Sequence, residues 1–476
     1  MIKSNIIILF FGILLGIVAF FSKGTAAIAL LAIFTCFYIL RYSPKEYAKT
    51  LMLIFIFALI IRVVVSVAQD YIALTIFPDA TITEVLPSNP YPINDDYSNL
   101  IKEKTRTFFG QNDSDYSSAR GYVFNAVAKG YDNKPTRLYA DPGFIYGSNG
   151  YLYLVGLFYY LFDYSPIAVK FINCFLGALV VVWIFLLVVN FNRRAAVIAS
   201  CLTAFFPSLI IWSTTNLKDT SLTLLNVLMV WSVVCFIIKH KKKFLFYLLS
   251  FLVLQNMITH KEYWLLIILS LALTSFAIYF INSKRKLVFV FLILLLFFAV
   301  PARFRDSLNT FLSNKISRMF VYHHGFIMTG GVNYEILDKK FYENSDLIFV
   351  MSPINAIKFS LRGFFHFLFE PLPIRASQSK MFLIVLPQTV VWYALLFFVP
   401  FGILYAFRYN WRAALFIMIY LLILSCGMAI SSGNVGTLIR HRDYLTPLYF
   451  VFIALGIVEI YNNKKQLRRY KNENIL

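Results

Sequence analysis

Four short polar clusters in this 476-residue chain carry residue types that can move protons or hold anions. The first is Asn94-Asp95-Asp96-Tyr97, two adjacent carboxylates beside an amide and a phenol. Such a string commonly ends as a solvated turn; its chemical reading is a general base or a ligand for a divalent cation. The second is Trp212-Ser213-Thr214-Thr215-Asn216-Leu217-Lys218-Asp219, where an ammonium group adjoins a carboxylate that opens an apolar run. A helical hairpin with Lys218 and Asp219 paired, and a cap from Asn216 or Thr215, would produce the same residues. The third, Thr259-His260-Lys261-Glu262-Tyr263, lies in another short connection, which needs polar residues whatever the function.

The fourth cluster runs from Gly433-Asn434-Val435-Gly436 through Arg440-His441-Arg442-Asp443-Tyr444 to Thr446-Pro447. Two guanidinium groups and an imidazole beside glycines suit a phosphate or pyrophosphate, bound by bidentate donors and by amides that a flexible turn leaves free. Contact with lipid headgroups would also select the charge, though not the glycines. Arg375, after Glu370-Pro371-Leu372-Pro373, is a further cation. The pair His323-His324 has no matched third and fourth metal ligand and reads as surface residues. Arg62 and Lys170, inside apolar runs, read as structural or snorkelling groups. The chain has no Gly-x-x-x-x-Gly-Lys-Ser/Thr loop, no His-Glu-x-x-His and no Gly-x-Ser-x-Gly, so nucleotide hydrolysis and the common zinc and serine chemistries find no support.

The elements that must carry these residues are set by composition. The chain is 59% hydrophobic and 18% aromatic, only 14% charged, with a mean hydropathy of +0.71. A soluble fold carries about 25% charged residues, so this apolar excess must face lipid. The expected class is an all-α polytopic membrane protein of about twelve spans, with two large loops that hold short interfacial helices. The spans fall near 6–21, 25–40, 51–68, 167–190, 195–212, 220–238, 244–259, 264–282, 287–302, 382–406, 413–431 and 444–461. The stretch Tyr151–Phe162 reaches only about 18 Å as a helix, so it reads as a segment lying in the interface. The run from Ile6 to Phe21 reads as a retained helix rather than a cleaved signal. All five cysteines lie in apolar runs and read as small core residues.

The formal charge of +21 is informative through its location rather than its size, and it points to no nucleic-acid partner. If the amino terminus is cytoplasmic, the connections on that side hold 20 of the 44 lysines and arginines, and only Glu46 and Glu473 as acids. That asymmetry predicts both termini in the cytoplasm and all four polar clusters outside. The expected organisation is three amino-terminal spans over 1–68, a first outer loop over 69–166, a six-helix core over 167–302, a second outer loop over 303–381, three spans over 382–461 and a basic tail over 462–476. High Ile, Lys, Asn, Phe and Tyr usage hints at an AT-rich bacterial genome and hence a bacterial cytoplasmic membrane.

With the acidic loop, the Tyr151 stretch followed by Ser165-Pro166 and Gly177-Ala178-Leu179, the turn Phe206-Pro207-Ser208 to Lys218-Asp219, and the ending Gly436-x-x-x-Arg440 to Pro447, the chain resembles the GT-C superfamily of integral-membrane glycosyltransferases. The branch it resembles is the protein-mannosyltransferase-like and aminoarabinose-transferase-like one, family 39 in type. The resemblance implies transfer of a sugar from a polyprenyl-phosphate donor to a glycan, lipid or protein acceptor at the outer face. In that reading Asp95 or Asp96 is the base and Asp219 a second carboxylate, with Asp95 and Asp219 the ligands of any divalent cation such as Mg or Mn. Lys218, Arg440, His441, Arg442 and Arg375 hold the lipid phosphate, and His260, Lys261 and Glu262 are further candidates. No cofactor is demanded. An O-antigen-type polymerase or ligase would lean on the arginines more than on the acids. A flippase or transporter would need a polar path through the bundle, of which the sequence offers little.

Overall fold

The computed structural model describes residues 22–43, 45–76, 158, 161–162, 166–215, 217–259, 263–282, 316–317, 319–327, 332–372 and 380–473. Asp95, Asp96, His260, Lys261, Glu262 and Arg375 lie outside the described residues, as do the expected spans 6–21 and 287–302. The described part is helical, without a strand, as the composition requires. Among the described residues, five helices are long and apolar enough to cross a membrane, or up to seven if each of two bent pairs counts as one span. The protein is therefore a multi-pass membrane protein.

The first helices are α1 (Lys23–Tyr42), α2 (Lys45–Ile76), α3 (Pro166–Val188), α4 (Arg193–Phe205), α5 (Pro207–Ser213), α6 (Asp219–Lys239), α7 (Lys243–Thr259) and α8 (Tyr263–Asn282). After the helical stretch 319–327 come α9 (Lys339–Glu343), a 3-10 turn at Ser345–Ile348, α10 (Pro353–Phe369), α11 (Lys380–Leu396), α12 (Val399–Ile430), α13 (Val435–Asp443) and α14 (Thr446–Glu473). The chain divides into two compact units. One comprises Met1–Leu186, Ser200–Met229 and Tyr247–Lys261; the other Leu187–Ala199, Val230–Phe246 and Glu262–Leu476.

In the first unit, the expected span 195–212 is broken. The α4 and α5 axes meet at 57° because Pro207 has no N–H to continue the ladder and Phe206 takes an extended conformation, φ −70° and ψ 120°. The break strands the carbonyls of Thr203 and Ala204 in apolar surroundings, and Arg62 of α2 reaches them. Its Nη1 donates to Ala204 O at 3.0 Å and to Ala58 O at 2.9 Å, and Nη2 donates to Thr203 O at 3.2 Å. An arginine inside an apolar helix is thus explained by backbone that the bilayer cannot solvate.

In the second unit α12 packs along α14, α8 and α10. α12 holds one non-helical residue, Asn410 at φ −150° and ψ 90°, and Asn410 Oδ1 caps the following turn by accepting from Ala413 N at 3.0 Å. That break falls between the expected spans 382–406 and 413–431. α10 matches the helical spacing seen in 354–369. Ser352 caps its start, Phe359, Gly363 and Phe367 are buried, and Ile354, Ile357, Leu361 and Phe365 form an exposed apolar stripe, the pattern of a helix lying at an interface.

Candidate functional site

In the first unit the turn that leads to Asp219 is held from two helices. Asn173 of α3 donates Nδ2 to Thr215 O at 2.8 Å and to Leu217 O at 3.2 Å. From α2, Ser66 Oγ donates to Thr214 O at 3.4 Å, and Thr214 Oγ1 donates to Gln69 Oε1 at 2.8 Å. The Thr215 hydroxyl donates to Trp212 O at 3.0 Å; Asn216 lies outside the described residues. Asp219 is the first residue of α6, only 1% exposed, and Lys218 beside it is half-buried. A helix start favours a carboxylate, since unpaired N–H groups point toward it. Burial at this depth costs several kcal/mol in general, so the position is a constructed one rather than a solvated hairpin tip.

In the second unit, residues 433–446 are not a flexible turn. They form α13, followed at 64° by α14. Gly436 does not present a free amide either. Gly436 N, with Thr437 N, is taken by the Asn434 side chain at 2.8 and 3.3 Å, a helix cap. Gly433 is there for close approach, because a Cβ would overlap His323 O and lie 2.8 Å from Phe326 Cβ. Backbone pairing holds the same segment: Tyr334 N donates to Gly433 O at 3.1 Å and Val435 N donates to Val332 O at 3.0 Å.

The basic side chains of α13 separate into different duties. Arg442, 2% exposed, donates Nη1 to Glu370 O at 2.7 Å and to Leu368 O at 3.5 Å, and its guanidinium stands 5.0 Å from the Trp392 ring centroid. Trp392 Nε1 donates to Leu368 O at 2.7 Å. Tyr393 Oη donates toward Phe369 O at 2.5 Å and Pro371 O at 2.9 Å. Carbonyls that α10 leaves unpaired at its C-terminus are thus satisfied by side chains, with a cation at the negative end of the helix. His441 is buried and its Nδ1 bonds Ser432 Oγ at 2.7 Å. Arg440 is half-buried on the same short helix.

His323 is not a surface residue: it is 0% exposed. Its Nδ1 donates to Ser432 O at 2.7 Å, which leaves Nε2 to accept from Tyr342 Oη at 3.2 Å. Burial pushes its pKa down from 6.5 to about 4, against the pull of the Ser432 carbonyl. Tyr334 donates to the carbonyls of Ala429 and Ser432, and burial, with Glu370 nearby, holds its phenol well above the usual value. Asp338 is held below the ordinary carboxylate range by Lys358, at 2.9 Å, and Arg362, at 2.7 Å, which tie the 332–338 segment to α10.

The neutral His323 carries a pH dependence. The unfolded chain takes up a proton near pH 6.5 and the folded one only near 4, so this contribution is complete above 6.5 and is lost as pH falls through 4. The interval corresponds to about 3 kcal/mol. The thermal midpoint of the detergent-purified protein should fall across this window and flatten when His323 is replaced by Asn. A wild-type midpoint unchanged down to pH 4 would refute the assignment.

Sequence reasoning missed one arrangement. His366 Nδ1 donates to Glu370 Oε1 at 2.8 Å, and Glu370 Oε2 accepts from Leu372 N at 2.9 Å, with the carboxylate wholly buried. The signal available was a histidine four residues before a glutamate at the end of an amphipathic helix, just ahead of a proline. Among the described residues, no group of three or more His, Cys, Asp or Glu side chains is placed to hold a metal ion.

Comparison with curated proteins gives no match. Residues 149–303, about a third of the chain, match the model of the dolichyl-phosphate-mannose-protein mannosyltransferase family. The matched stretch holds α3 to α8, with Lys218 and Asp219 at its middle. The match makes the chain GT-C-like across these residues and supports a membrane glycosyltransferase of that type.

Proposed function

We propose that the protein moves a sugar from a polyprenyl-phosphate-linked donor to a glycan, lipid or protein acceptor at the extracytoplasmic face of a bacterial cytoplasmic membrane. The single observation that supports this most is Asp219: a carboxylate with 1% exposure, braced by α2 and α3 at the start of an apolar helix, inside the segment that matches the mannosyltransferase family. The face follows from the positive-inside charge pattern.

In the mechanism, the acceptor hydroxyl attacks the anomeric carbon as the bond to the phosphate breaks, so the centre inverts. Asp95 or Asp96 takes the acceptor proton and Asp219 is the second carboxylate. On the sequence reading, Lys218 beside Asp219, and Arg440, stabilise charge growing on the leaving phosphate, which matters most in a water-poor site. Arg442 and His441 shape α13 through the bonds given above.

The test is transfer from a radiolabelled polyprenyl-phosphate sugar in membranes. Asp219→Asn, Arg440→Ala and one of Asp95→Asn and Asp96→Asn should each lower the rate by about 100-fold or more. Full activity in all the carboxylate variants would refute the mechanism, and loss at the arginine alone would favour a polymerase or ligase.

A further inference from the structure

We propose that Asn173 is a positioning residue for Asp219: its side-chain amide fixes the turn that enters α6, and its contribution to sugar transfer is made through that carboxylate. The inference rests on the role given to Asp219 above. Every group it uses belongs to the first unit. A carboxylate at the first position of a helix is aimed by the chain that leads into the helix, so whatever fixes residues 212–218 also aims Asp219. Backbone pairing there is sparse: Leu217 N donates to Thr215 O at 2.9 Å, and Leu222 N returns to Lys218 O at 3.0 Å. Side chains supply further ties. Thr215 Oγ1 and Thr220 Oγ1 both donate to Trp212 O, at 3.0 and 3.3 Å, which joins the start of α6 to the end of α5. Ser66 and Gln69 of α2 engage Thr214.

Asn173 reaches further toward the carboxylate. Its Nδ2 spans Thr215 O at 2.8 Å and Leu217 O at 3.2 Å, four and two positions before Asp219. A primary amide carries two N–H donors in one plane, so it sets two carbonyls at once where a hydroxyl sets one. Asn173 is 0% exposed, which keeps water from competing for those carbonyls. A side chain this short arrives only because α3 runs close to α5. Gly177, one turn along α3, permits the approach, since a Cβ there would lie 2.7 Å from Ser213 Cβ and 2.8 Å from Arg62 Nε.

Satisfying two buried carbonyls would by itself account for an asparagine. What points past stability is where those carbonyls lie: directly ahead of a carboxylate with 1% exposure, inside the stretch 149–303 that matches the mannosyltransferase family. Misplacing a reacting group by about 1 Å costs as much as ~100-fold in rate. Releasing the turn from α3 leaves the carboxylate in place and loosens its aim. The expected signature is therefore a loss of turnover rather than of donor affinity, and a loss that disappears once Asp219 itself has been removed.

A double-mutant cycle on the whole detergent-purified chain tests this, read by transfer from a radiolabelled polyprenyl-phosphate sugar. Asn173→Ala should lower kcat about tenfold with the KM for the donor within about twofold of wild type, and Asn173→Ser, which keeps one donor, should recover part of the rate. In an Asp219→Asn background the Asn173→Ala change should cost less than about twofold, because the carboxylate it aims is gone. Asn173→Ser carries the same cycle if the alanine variant does not purify. A loss of equal size in both backgrounds, a raised KM with kcat unchanged, or a rate that falls only with the folded fraction would each overturn the proposal and leave the role of Asp219 standing. An Asp219→Asn protein with the wild-type rate would overturn that role and the proposal with it.

Discussion

Gly402→Val is expected to leave no stably folded protein. At this point α12 and α14 meet backbone to backbone: a Cβ on residue 402 would overlap the Phe452 carbonyl oxygen and lie 2.5 Å from its carbonyl carbon and 2.9 Å from its Cα. The contact is reciprocal, since a Cβ on Gly456 would overlap Phe398 O and lie 3.0 Å from Gly402 N. Small residues allow such an approach, and in lipid the association of helices rests on that packing rather than on a hydrophobic drive. Backbone cannot swing aside as a side chain can, so the two helices must separate, with a loss of more than about 5 kcal/mol. Gly427→Ala is the contrasting case, because its Cβ would meet the methyl groups and Cγ of the Leu266 side chain, which can rotate away. Yield of monodisperse protein in detergent measures both. A Gly402→Val protein that purifies and melts like wild type would show that the helices do not cross here.

The second large effect is expected at Arg62→Met. Removing the guanidinium takes away the donors that Arg62 gives to Thr203 O and Ala204 O at the Phe206-Pro207 break. Each stranded buried carbonyl costs about 1–3 kcal/mol, more where no water can reach it, so a loss of about 4 kcal/mol is expected. Arg62→Lys should fall between, because a single ammonium group cannot span both carbonyls as a planar fork does. A melting midpoint of Arg62→Met within a degree or two of wild type would mean that water or another donor reaches the break.

Much of the fold is legible in the residues because membrane helices are local objects. Runs of apolar residue announce α1, α3, α6, α7 and α8 within a few positions of their observed ends, and the alternation through 354–369 announces α10. Failures came where the outcome depends on partners far along the chain. One continuous span was expected over 195–212; Pro207 marked the break in advance, but the cation that makes a break tolerable sits 142 positions away, at Arg62. The Gly433–Thr446 segment was read as a loop with free amides since glycines and cations do resemble an anion cradle. In the fold, Asn434 takes the Gly436 amide and His323 occupies the space that Gly433 leaves.

The candidate site divides along the same line. Asp219 and Arg440 stand out in sequence because a charge at the end of an apolar run is costly, and cost is visible in residue type alone. The Glu370–His366 dyad, the burial of His323 and the use of Arg442 to close the end of α10 are not visible there. Composition and the period of the apolar pattern by themselves determined a helical membrane protein, since lipid tests every residue separately for polarity and every backbone group for a partner. Only the tertiary structure decided which cations close helix ends, because a guanidinium is consumed by whichever carbonyl the packing brings within about 3 Å, as Arg442 and Arg62 are, and no spacing along the chain encodes that distance.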